Sequence, residues 1–425
     1  MTLEQFIRRK DFVLIPSLHR WTMWLIAFRV TALGWLAVLG WGLATSLGVS
    51  SIDKPIYIAV CAWTAPAVIA FAAGWLLRPR VAVAAAYPDR ASVGQPLQIR
   101  CALQNTRRTP LYALGAGIFL PPVEFDAAPP ALLPGMLPPG ESAACHVQLT
   151  PRRRGLYPMP PLRAFTTFPL NLYRTPAGHG APWQLLVLPA FHPLHQIGVP
   201  VGTRYQPGGI ALTSHTGESP EYIGNRHYVP GDSIRHIDFR AWARLAQPAV
   251  REYQEEYYCR VALVLDTCTG RANPPTPEGF PEFEAAVSLT AAIADALSRG
   301  EYLIDLFAAG PELYVFRAGR HTAHFDNVLE ILAAVGHTVD NPFARLAPAL
   351  LDELNNISTV ICVFMDWDET REHLVRAAAE AGCSLKVIVV REGEPSRPLD
   401  ALHAWTRHVR QVTPDAVRRG GVEEL

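Results

Sequence analysis

Two long apolar runs without a charged residue dominate the first 80 positions. One extends from about Val30 to Val49 and the other from about Ile56 to Leu77. Each approaches the roughly 20 residues that a helix needs to cross a hydrocarbon core of about 30 Å. The link between them, Ser50 to Pro55, is too short for a domain. The pattern therefore predicts a transmembrane helical hairpin within residues 1–80.

Basic residues flank this hairpin on its two outer sides and are almost absent from its loop, which carries Lys54 alone. The flanking residues are Arg8, Arg9, Lys10, Arg20 and Arg29 before the hairpin, and Arg78, Arg80 and Arg90 after it. Because cytoplasmic flanks are enriched in Lys and Arg, we predict a multi-pass protein of the inner (cytoplasmic) membrane whose soluble domains lie in the cytoplasm. A signal peptide is disfavoured because the first run begins too far from the N-terminus. A buried hairpin of a soluble protein is the remaining alternative.

Residues 81–200 contain short β-prone segments separated by Pro, Gly and Asn. The segments read VAVAAAY, LQIRCALQN, YALGAGIFL, SAACHVQLT and APWQLLVLP. Short alternating apolar runs of this kind are typical of an all-β, sandwich-like domain. A basic cluster, Arg152 to Arg154, is interpreted either as a solvated loop or as a contact for lipid headgroups or a partner.

Residues 259–395 follow a different rhythm. The apolar runs RVALVL, TVICVFM and LKVIVV alternate with segments whose apolar positions recur at helical spacing, from Phe283 to Leu297 and from Phe325 to Val335. Continuous apolar strands alternating with helices predict an α/β domain with a mainly parallel sheet covered on both faces. The polar residues 396–425 are expected to form a peripheral helix or a loose tail.

Composition excludes several classes. The 38 basic and 38 acidic residues balance, so no basic field argues for a nucleic-acid partner. Seven cysteines are scattered without a C-x-x-C pair. We therefore expect neither a disulfide framework nor a zinc knuckle, and a reducing compartment fits best.

The join between the two soluble regions, residues 201–258, is dense in arginine and aromatic residues. Its stretch Gly224 to Arg251 reads GNRHYVPGDSIRHIDFRAWARLAQPAVR, and Pro230-Gly231-Asp232 is a turn signal. Guanidinium groups and carboxylates that can pair bidentately share this stretch: Arg226, Arg235, Arg240, Arg244, Arg251, Asp232 and Asp238. Two interpretations stay open. The stretch is a brace of the inter-domain joint, or it docks an acidic partner or a phosphate.

Candidate chemistry lies where two predicted strands end, since ligands of open α/β sheets bind beyond the carboxyl ends of the strands. Asp266 follows RVALVL and Asp366 follows TVICVFM. With hydroxyls from Thr267, Thr269 or Thr338 they could hold a hard divalent cation such as Mg²⁺, although strand-end aspartates also cap helices.

No catalytic constellation accompanies these aspartates. The chain has no G-x-S-x-G elbow, phosphate-binding loop or G-x-G-x-x-G fingerprint. Cys268 also sits at a strand end, where a small buried thiol is the alternative to a nucleophile. These observations predict a protein that is not an enzyme.

The same stretch also carries a family resemblance. The residues at set spacings are Arg226, Tyr228, Pro230, Gly231, Asp232, Arg235, Ile237, Asp238 and Arg244. They resemble the signature of the bacterial "domain of unknown function 58" family, and the likeness extends to RRRGLYPMPPLRAFTTFPLNLYR and to the two-helix anchor. His227, Phe239 and Trp242 stand where that family usually has Glu, Trp and Ser.

The resemblance implies a von Willebrand factor A-like domain over residues 259–395. Such domains often carry a metal-ion-dependent adhesion site written D-x-S-x-S. Here the segment beginning at Asp266 reads DTCTG and replaces both serines, with Thr338 and Asp366 as the later threonine and aspartate.

The resemblance also implies a MoxR-type AAA+ ATPase as partner. We therefore expect a membrane-anchored, cytoplasm-facing adaptor or scaffold that works with such an ATPase in the assembly or maturation of other proteins, with the client unspecified. A metal-dependent ligand-binding module and a cell-envelope processing enzyme are the alternatives.

Overall fold

The chain forms two compact units, Met1–Leu188 and Pro189–Leu425. The structure, a computed structural model, describes residues 29–49, 54–76, 79–200, 222–230, 232–253, 260–269, 279–300, 302–310, 312–317 and 325–425.

The first unit begins with two antiparallel apolar helices, α1 (Ala32–Val49) and α2 (Lys54–Leu76). Within the described residues, the segment Ile58–Leu76 of α2 is long and apolar enough to cross a membrane, whereas Ala32–Ser46 of α1 is a shorter apolar helix. Both predicted runs are thus helices, and one of them meets the length of a membrane span. The basic flanking residues before Arg29, together with Arg78, lie outside the described residues.

Thirteen short strands follow the helices in the described part of this unit. Their bounds are β1 Val81–Ala86, β2 Arg90–Ser92, β3 Leu97–Asn105, β4 Leu111–Tyr112, β5 Leu114–Gly117, β6 Phe125–Ala127, β7 Ala131–Leu132, β8 Met136–Leu137, β9 Ser142–Pro151, β10 Gly155–Met159, β11 Arg163–Thr166, β12 Thr175–His179 and β13 Trp183–Leu188. They form sheets in the orders β1-β3-β9-β6, β10-β13-β2, β12-β11-β5-β7 and β4-β8.

The alternation of apolar residues explains how these sheets pack. Successive side chains of a strand point to opposite faces, so Ile99 and Leu103 of β3 and Val147 and Leu149 of β9 all enter one buried cluster. Every β-prone segment of the sequence lies in this sheet-rich domain, as predicted.

No disulfide framework was expected from the scattered cysteines, yet one cysteine pair of the described residues is bonded. Cys101 and Cys145 face each other in the antiparallel register of β3 and β9, with Cα atoms 5.2 Å apart, and are disulfide-bonded. Because the two cysteines are 44 positions apart in sequence, a rule based on local cysteine spacing could not predict this pair. Because disulfides are rare in reducing compartments, the pair also opposes the expectation drawn from cysteine usage.

The second unit contains a two-stranded sheet, β14 (Tyr222–His227) with β15 (Ala249–Tyr253), and a six-stranded mixed sheet in the order β18-β17-β16-β19-β20-β21. The strands of the larger sheet are β16 Arg260–Leu265, β17 Leu303–Ala309, β18 Leu313–Phe316, β19 Thr359–Phe364, β20 Ser384–Val390 and β21 Val409–Val412. All neighbouring strands in it are parallel except β17 and β18.

Helices cover this sheet on both faces, as the continuously buried strands require. The helices of this unit are α3 Phe239–Leu245, α4 Pro281–Arg299, α5 Phe325–Ala334, α6 Phe343–Leu351, α7 Glu369–Glu380 and α8 Pro414–Arg418. One face, with Val264, Phe307 and Phe364, packs against α6 and α7, while α4 also contacts the central strands.

Two features differ from the sequence prediction. The sequence pattern assigned no element to the segment of helix α6, in which Phe343, Leu346 and Leu350 form a buried stripe at helical spacing. The polar residues 396–425 contain one short helix, α8, as one of the two alternatives expected. They also supply the sixth strand, β21, which pairs in parallel with β20, so they are not a loose tail.

Candidate functional site

The signature stretch folds as a hairpin with an insertion. Strands β14 and β15 pair with Arg226 opposite Val250 and His227 opposite Ala249. Between the strands lie one 3₁₀ turn, Ile234–His236, and helix α3. The signature residues are therefore held in one supersecondary element of the second unit.

A bidentate ion pair closes the turn of this hairpin. Nη1 and Nη2 of Arg226 each lie 2.8 Å from a carboxylate oxygen of Asp232, and the amide of Val229 donates to the same carboxylate at 2.9 Å. The hydrogen bond from Arg226, followed by that from Val229, lowers the pKa of Asp232 to about 2. Pro230 lies in the turn, and Gly231 lies outside the described residues.

A second aspartate starts helix α3. The carboxylate of Asp238 accepts hydrogen bonds from the amides of Arg240 (2.9 Å) and Ala241 (3.1 Å), which is the N-cap geometry. Its other oxygen accepts from Asn225 at 3.2 Å and lies 3.4 Å from Nε of Arg251. These hydrogen bonds lower the pKa of Asp238, and the bond from the amide of Ala241 has the largest effect. The cap ties α3 to both strands of the hairpin.

Backbone contacts complete the frame around the signature. Ile237 forms a bridge with Val250, and the amide of Tyr228 donates to the carbonyl of Pro248 at 2.9 Å. Among the predicted signature residues, Arg226, Asp232 and Asp238 thus form the polar frame, while Tyr228 and Ile237 attach it to β15.

Helix α3 and the residues just before it carry exposed side chains. Phe239 is 66% exposed and Trp242 39% exposed, and their rings stack with centroids 6.1 Å apart. Arg235, Arg240 and Arg244 are exposed, and no carboxylate of the described residues pairs with their guanidinium groups. We call this surface the signature face and define it as Val229, Ile234, Arg235, Phe239, Arg240, Trp242, Ala243, Arg244 and Leu245.

The signature face combines two properties that rarely occur together on a free surface. Besides the stacked aromatic pair, the large apolar side chains of Ile234 (73%) and Leu245 (57%) are also exposed. Exposed apolar patches rimmed by polar groups mark interaction sites, and Trp and Arg are enriched among binding hot spots. The face can therefore bind a surface that is both apolar and acidic.

The predicted metal ligand Asp266 is fully buried at the end of β16. One of its oxygens accepts from Nε and Nη2 of Arg371, at 2.8 and 2.6 Å, and from the amide of Met365 at 3.0 Å. Its other oxygen accepts from the amide of Cys268 at 2.9 Å. The cation that faces Asp266 is thus the guanidinium of Arg371.

Arg371 is held from several sides. Nη1 lies 2.5 Å from Asp368, the N-cap residue of α7, and the guanidinium lies 5.2 Å from the ring centroid of Phe343. Burial alone would lower the pKa of Arg371, but the carboxylates of Asp266 and Asp368 outweigh this and raise it. The charged guanidinium therefore satisfies a carboxylate that would otherwise be unpaired in the sheet interior.

The second predicted metal ligand, Asp366, has other partners. It accepts from the amide and hydroxyl of Ser396, at 2.8 and 2.6 Å, and lies 2.9 Å from Nη1 of Arg391. Although burial acts to raise it, these hydrogen bonds lower the pKa of Asp366. Thr338 lies beside the strand end through backbone pairing with Thr267 and Thr269.

The two predicted metal ligands, Asp266 and Asp366, each have hydrogen-bond partners of their own in this arrangement. Across the described residues, no three His, Cys, Asp or Glu side chains are grouped closely enough to hold a metal ion. Both oxygens of Asp266 already accept hydrogen bonds, and the buried guanidinium supplies the positive charge. Sequence reasoning missed Arg371 because it lies 105 positions from Asp266. The only local signal was the Asp368-x-x-Arg371 spacing at the start of a helix.

The region that contains both arginine–aspartate pairs matches a known protein family. Residues 224–399 match the model of a family described as "Protein of unknown function DUF58". The match covers the signature hairpin and most of the six-stranded sheet.

A curated protein, "Uncharacterized protein YeaD" of Bacillus subtilis (strain 168), is 26% identical over 149 residues, which are 35% of this chain and 35% of that protein. The chain thus matches about a third of the length of this relative.

Solved structures give only distant likenesses. The CARDB domain of a Pyrococcus furiosus protein is 15% identical, with a TM-score of 0.18, over 26% of this chain and 94% of that domain. A cohesin module from a family 33 glycoside hydrolase of Clostridium perfringens is 9% identical, with a TM-score of 0.19, over 26% of this chain and 97% of that module.

Proposed function

We propose that the protein is a membrane-anchored adaptor that docks a partner protein through the signature face. The observation that carries the proposal is the stacked Phe239–Trp242 pair, exposed on a capped helix. The same helix carries Arg240 and Arg244, which lack carboxylate partners in the described residues. The complementary surface is an apolar groove with acidic residues at its rim. The resemblance to "domain of unknown function 58" proteins implies that the partner is a MoxR-type AAA+ ATPase. It also implies that the six-stranded domain is von Willebrand factor A-like.

The frame beneath the face supports a docking role. A rigid binding surface loses less conformational entropy on association than a mobile one. Here the Arg226–Asp232 pair and the Asp238 cap fix the turn and the start of α3 through side-chain bonds of 2.8 to 3.2 Å. Arg226, Asp232 and Asp238 are paired within the frame. The exposed arginines of the signature face are therefore available to a partner.

Membrane anchoring rests on the apolar helices. Ile58–Leu76 has the length of a membrane span, and α1 is apolar and largely exposed beside it, with Leu36 and Leu39 more than 60% exposed. The positive flanks favour the cytoplasmic side for both units, whereas the Cys101–Cys145 bond favours an oxidising side.

Sidedness is decided by protease treatment of intact spheroplasts. On the proposed cytoplasmic side, residues beyond Arg80 are protected, and alkylation in living cells finds Cys101 and Cys145 as thiols. Cleavage from outside, with the disulfide formed in cells, would contradict the cytoplasmic assignment and with it an ATPase partner.

Binding of the purified full chain to a MoxR-type ATPase of the same bacterium tests the docking role. We expect Trp242→Ala and Arg244→Glu each to weaken binding roughly tenfold or more, as loss of a hot spot does. Arg407→Glu, an exposed arginine of the same unit outside the face, is the matched control and should bind as the unaltered chain does.

Two outcomes would contradict the proposal. Equal binding by the face variants and the control would remove the docking role from this surface. Binding of the face to anionic phospholipid vesicles, with no binding to the ATPase, would make it a membrane contact instead. Near-ultraviolet circular dichroism verifies that each variant keeps its fold.

A further inference from the structure

Three segments of the β-sheet domain lie at the end of its strands that meets the apolar helices. Strand β1 begins at Val81, five residues after α2 ends, and Val81 pairs with Asn105, the last residue of β3. The next strand of this sheet, β9, begins at Ser142 opposite Gln104. We call the segments at this end the helix-proximal segments, and they are residues 106–113, 133–141 and 167–174.

The last of these segments packs against both helices. On α1, the hydroxyl of Thr31 donates to the carbonyl of Leu172 at 2.9 Å, and a Cβ at Gly34 would collide with that carbonyl oxygen. On α2, the ring of Phe71 lies 5.8 Å from the ring of Tyr173, centroid to centroid. The segment therefore touches the sides of the helices and not only their ends.

These contacts fix the depth of the segment relative to a membrane span. Phe71 lies inside the span-length stretch Ile58–Leu76, five residues from its end, or about 7.5 Å at 1.5 Å per residue. In a bilayer crossed by this stretch, a segment beside Phe71 lies below the level at which the helix leaves the hydrocarbon core. Side chains of the segment that face away from the helices consequently meet lipid.

Large apolar side chains of the helix-proximal segments are exposed. Those of Tyr112, Met136, Phe168 and Leu170 are between 36% and 57% exposed, and we call these four residues the apolar rim. Tyr112 lies opposite Met136 in the pairing of β4 with β8, and its ring lies 5.4 Å from that of Phe168. The hydroxyl of Thr166 donates to the carbonyl of Tyr112 at 2.6 Å. The three segments thus contribute to one surface.

A buried asparagine holds two of these segments in place. Nδ2 of Asn105 donates to the carbonyls of Thr109, Leu137 and Pro138 at 2.9, 3.0 and 3.2 Å. Its Oδ1 accepts from the amide of Arg107 at 2.9 Å. Asn105 itself is fully buried. The apolar rim therefore lies on an ordered frame, which reduces the conformational entropy lost when the surface binds.

Arginines accompany the apolar rim. The carbonyl of Arg80, just after the span, accepts from the amide of Thr106 at 3.2 Å, which brings Arg107 and Arg108 close to the end of α2. Arg80 and Arg108 are exposed. Glu141 is the one carboxylate in the sequence of the three segments. Basic residues next to aromatic ones suit the headgroup level of a membrane that contains anionic lipids.

We infer that the helix-proximal end of the β-sheet domain is a second membrane contact, in addition to the helices. The apolar rim enters the boundary between headgroups and acyl chains of the adjacent leaflet, and the arginines bind anionic headgroups. The inference rests on the membrane anchoring of the proposed function. It places the β-sheet domain directly on the bilayer.

The opposite end of the domain supplies matched controls. Strand β9 has ten residues, so Pro151 lies about 30 Å from Ser142 at about 3.3 Å per residue. Beyond Pro151 lie Arg153 and Leu156, and Leu156 is 59% exposed. An exposed apolar residue and an arginine are therefore available in the same domain, far from the span.

Photocrosslinking of the full chain in nanodiscs tests the contact. We introduce p-benzoyl-phenylalanine at one position at a time, irradiate in equal amounts of phosphatidylglycerol and phosphatidylcholine, and detect adducts by intact-mass spectrometry. Positions 170 and 136 should each yield roughly tenfold more lipid adduct than position 156, because only the apolar rim lies in the interface. Ile69, which is exposed within the span, is the positive control.

The outcomes separate this inference from the anchoring proposal. Lipid adducts at position 69 with none at positions 170 and 136 would overturn the inference and leave the anchor intact. No lipid adducts at any of these positions would reject both. Equal yields at positions 170 and 156 would also overturn the inference. An adduct between two chains at position 170, in place of lipid, would overturn it too, because a second copy would then cover the apolar rim.

Arg108→Glu tests the headgroup contact. The reversed charge should lower the share of phosphatidylglycerol among the adducts at position 170 about twofold or more, since basic residues near a membrane surface attract anionic lipids. Arg153→Glu, at the far end of the domain, should leave this share unchanged. The same share in both variants would overturn the proposed binding of anionic headgroups.

Discussion

Two arginine–aspartate pairs of the second unit share the same chemistry and differ in burial. Arg371 and Asp266 are 5% and 0% exposed, with a closest N–O distance of 2.6 Å. Arg226 and Asp232 are 33% and 18% exposed, with the corresponding distance 2.8 Å. The buried pair joins helix α7 to the end of β16, whereas the outer pair only shapes a turn. With similar geometry, the Arg371–Asp266 pair holds a helix against the sheet, and the Arg226–Asp232 pair supports the proposed recognition surface.

The largest difference should appear when one partner of the buried pair is removed. Arg371→Met leaves the carboxylate of Asp266 buried and unpaired, so we expect the free energy of unfolding to fall by about 3–5 kcal/mol. Chemical denaturation of the full chain in detergent, followed by tryptophan fluorescence, measures this loss.

Arg397→Met is the matched control, because Arg397 lies outside α7 but pairs with two carboxylates of that helix. Arg397 pairs with Glu369 and Glu372 at 3.3 and 2.8 Å and is 46% exposed, so its loss should cost no more than about 1 kcal/mol. Adding Asp266→Leu to Arg371→Met should restore part of the stability, since replacing both partners removes the unpaired charge. If Arg371→Met and Arg397→Met lower the free energy of unfolding equally, burial does not make the Arg371–Asp266 pair more important for stability than an exposed pair.

The outer pair should be visible as a shifted titration. Arg226 and the amide of Val229 lower the pKa of Asp232 from 3.8 to about 2. Since the folded-state pKa is the lower one, the pair stabilises the turn above pH 4, and this contribution is lost as the pH falls through about 2. Carbon NMR of selectively labelled aspartate should give a midpoint near 2.

The matched change is Arg226→Gln, which removes the charge and the bidentate bond. We expect the Asp232 midpoint to return towards 3.8 while the buried pair is unaffected. A midpoint near 3.8 in the unaltered chain would show that the turn is not closed by this pair in solution.

The smallest expected effect concerns metal ions. Because the guanidinium of Arg371 occupies the charged side of Asp266, millimolar Mg²⁺ or Mn²⁺ should leave the unfolding temperature of the full chain unchanged, and EDTA should do the same. A ligand that binds the native state raises this temperature by mass action. A reproducible rise with Mn²⁺ that disappears in Asp266→Asn would restore the metal-binding interpretation.

Elements were predictable from sequence where the pattern repeats locally. The runs RVALVL, TVICVFM and LKVIVV became β16, β19 and β20, since a continuous apolar strand has few alternatives to a covered sheet. The segment from Phe283 to Leu297 likewise lies inside α4. Helix α6 was not assigned from the sequence, and it is short, with Pro348 inside it.

The candidate site was predictable only in part. The turn at Pro230 and the pairing capacity of its arginines are local, and the structure brings Arg226 and Asp232 together. The partner of Cys101 is set by the register of β3 and β9, and the partner of Asp266 is set by the packing of helix α7. No local sequence pattern encodes either. The prediction of Asp266 as a metal ligand rests on its strand-end position, on the neighbouring threonine hydroxyls and on the family resemblance. None of these reveals that helix α7 brings Arg371 to it.

The Cys101–Cys145 bond also has a mechanical meaning. It encloses the strands between β3 and β9 in a covalent loop with a sequence separation of 44 residues. At about 3.4 Å per extended residue, such a loop withholds about 150 Å of contour length from a chain pulled at its ends. A machine that threads or stretches this protein would therefore meet a stop inside the β-sheet domain when the bond is formed, and a fully extensible chain when it is reduced.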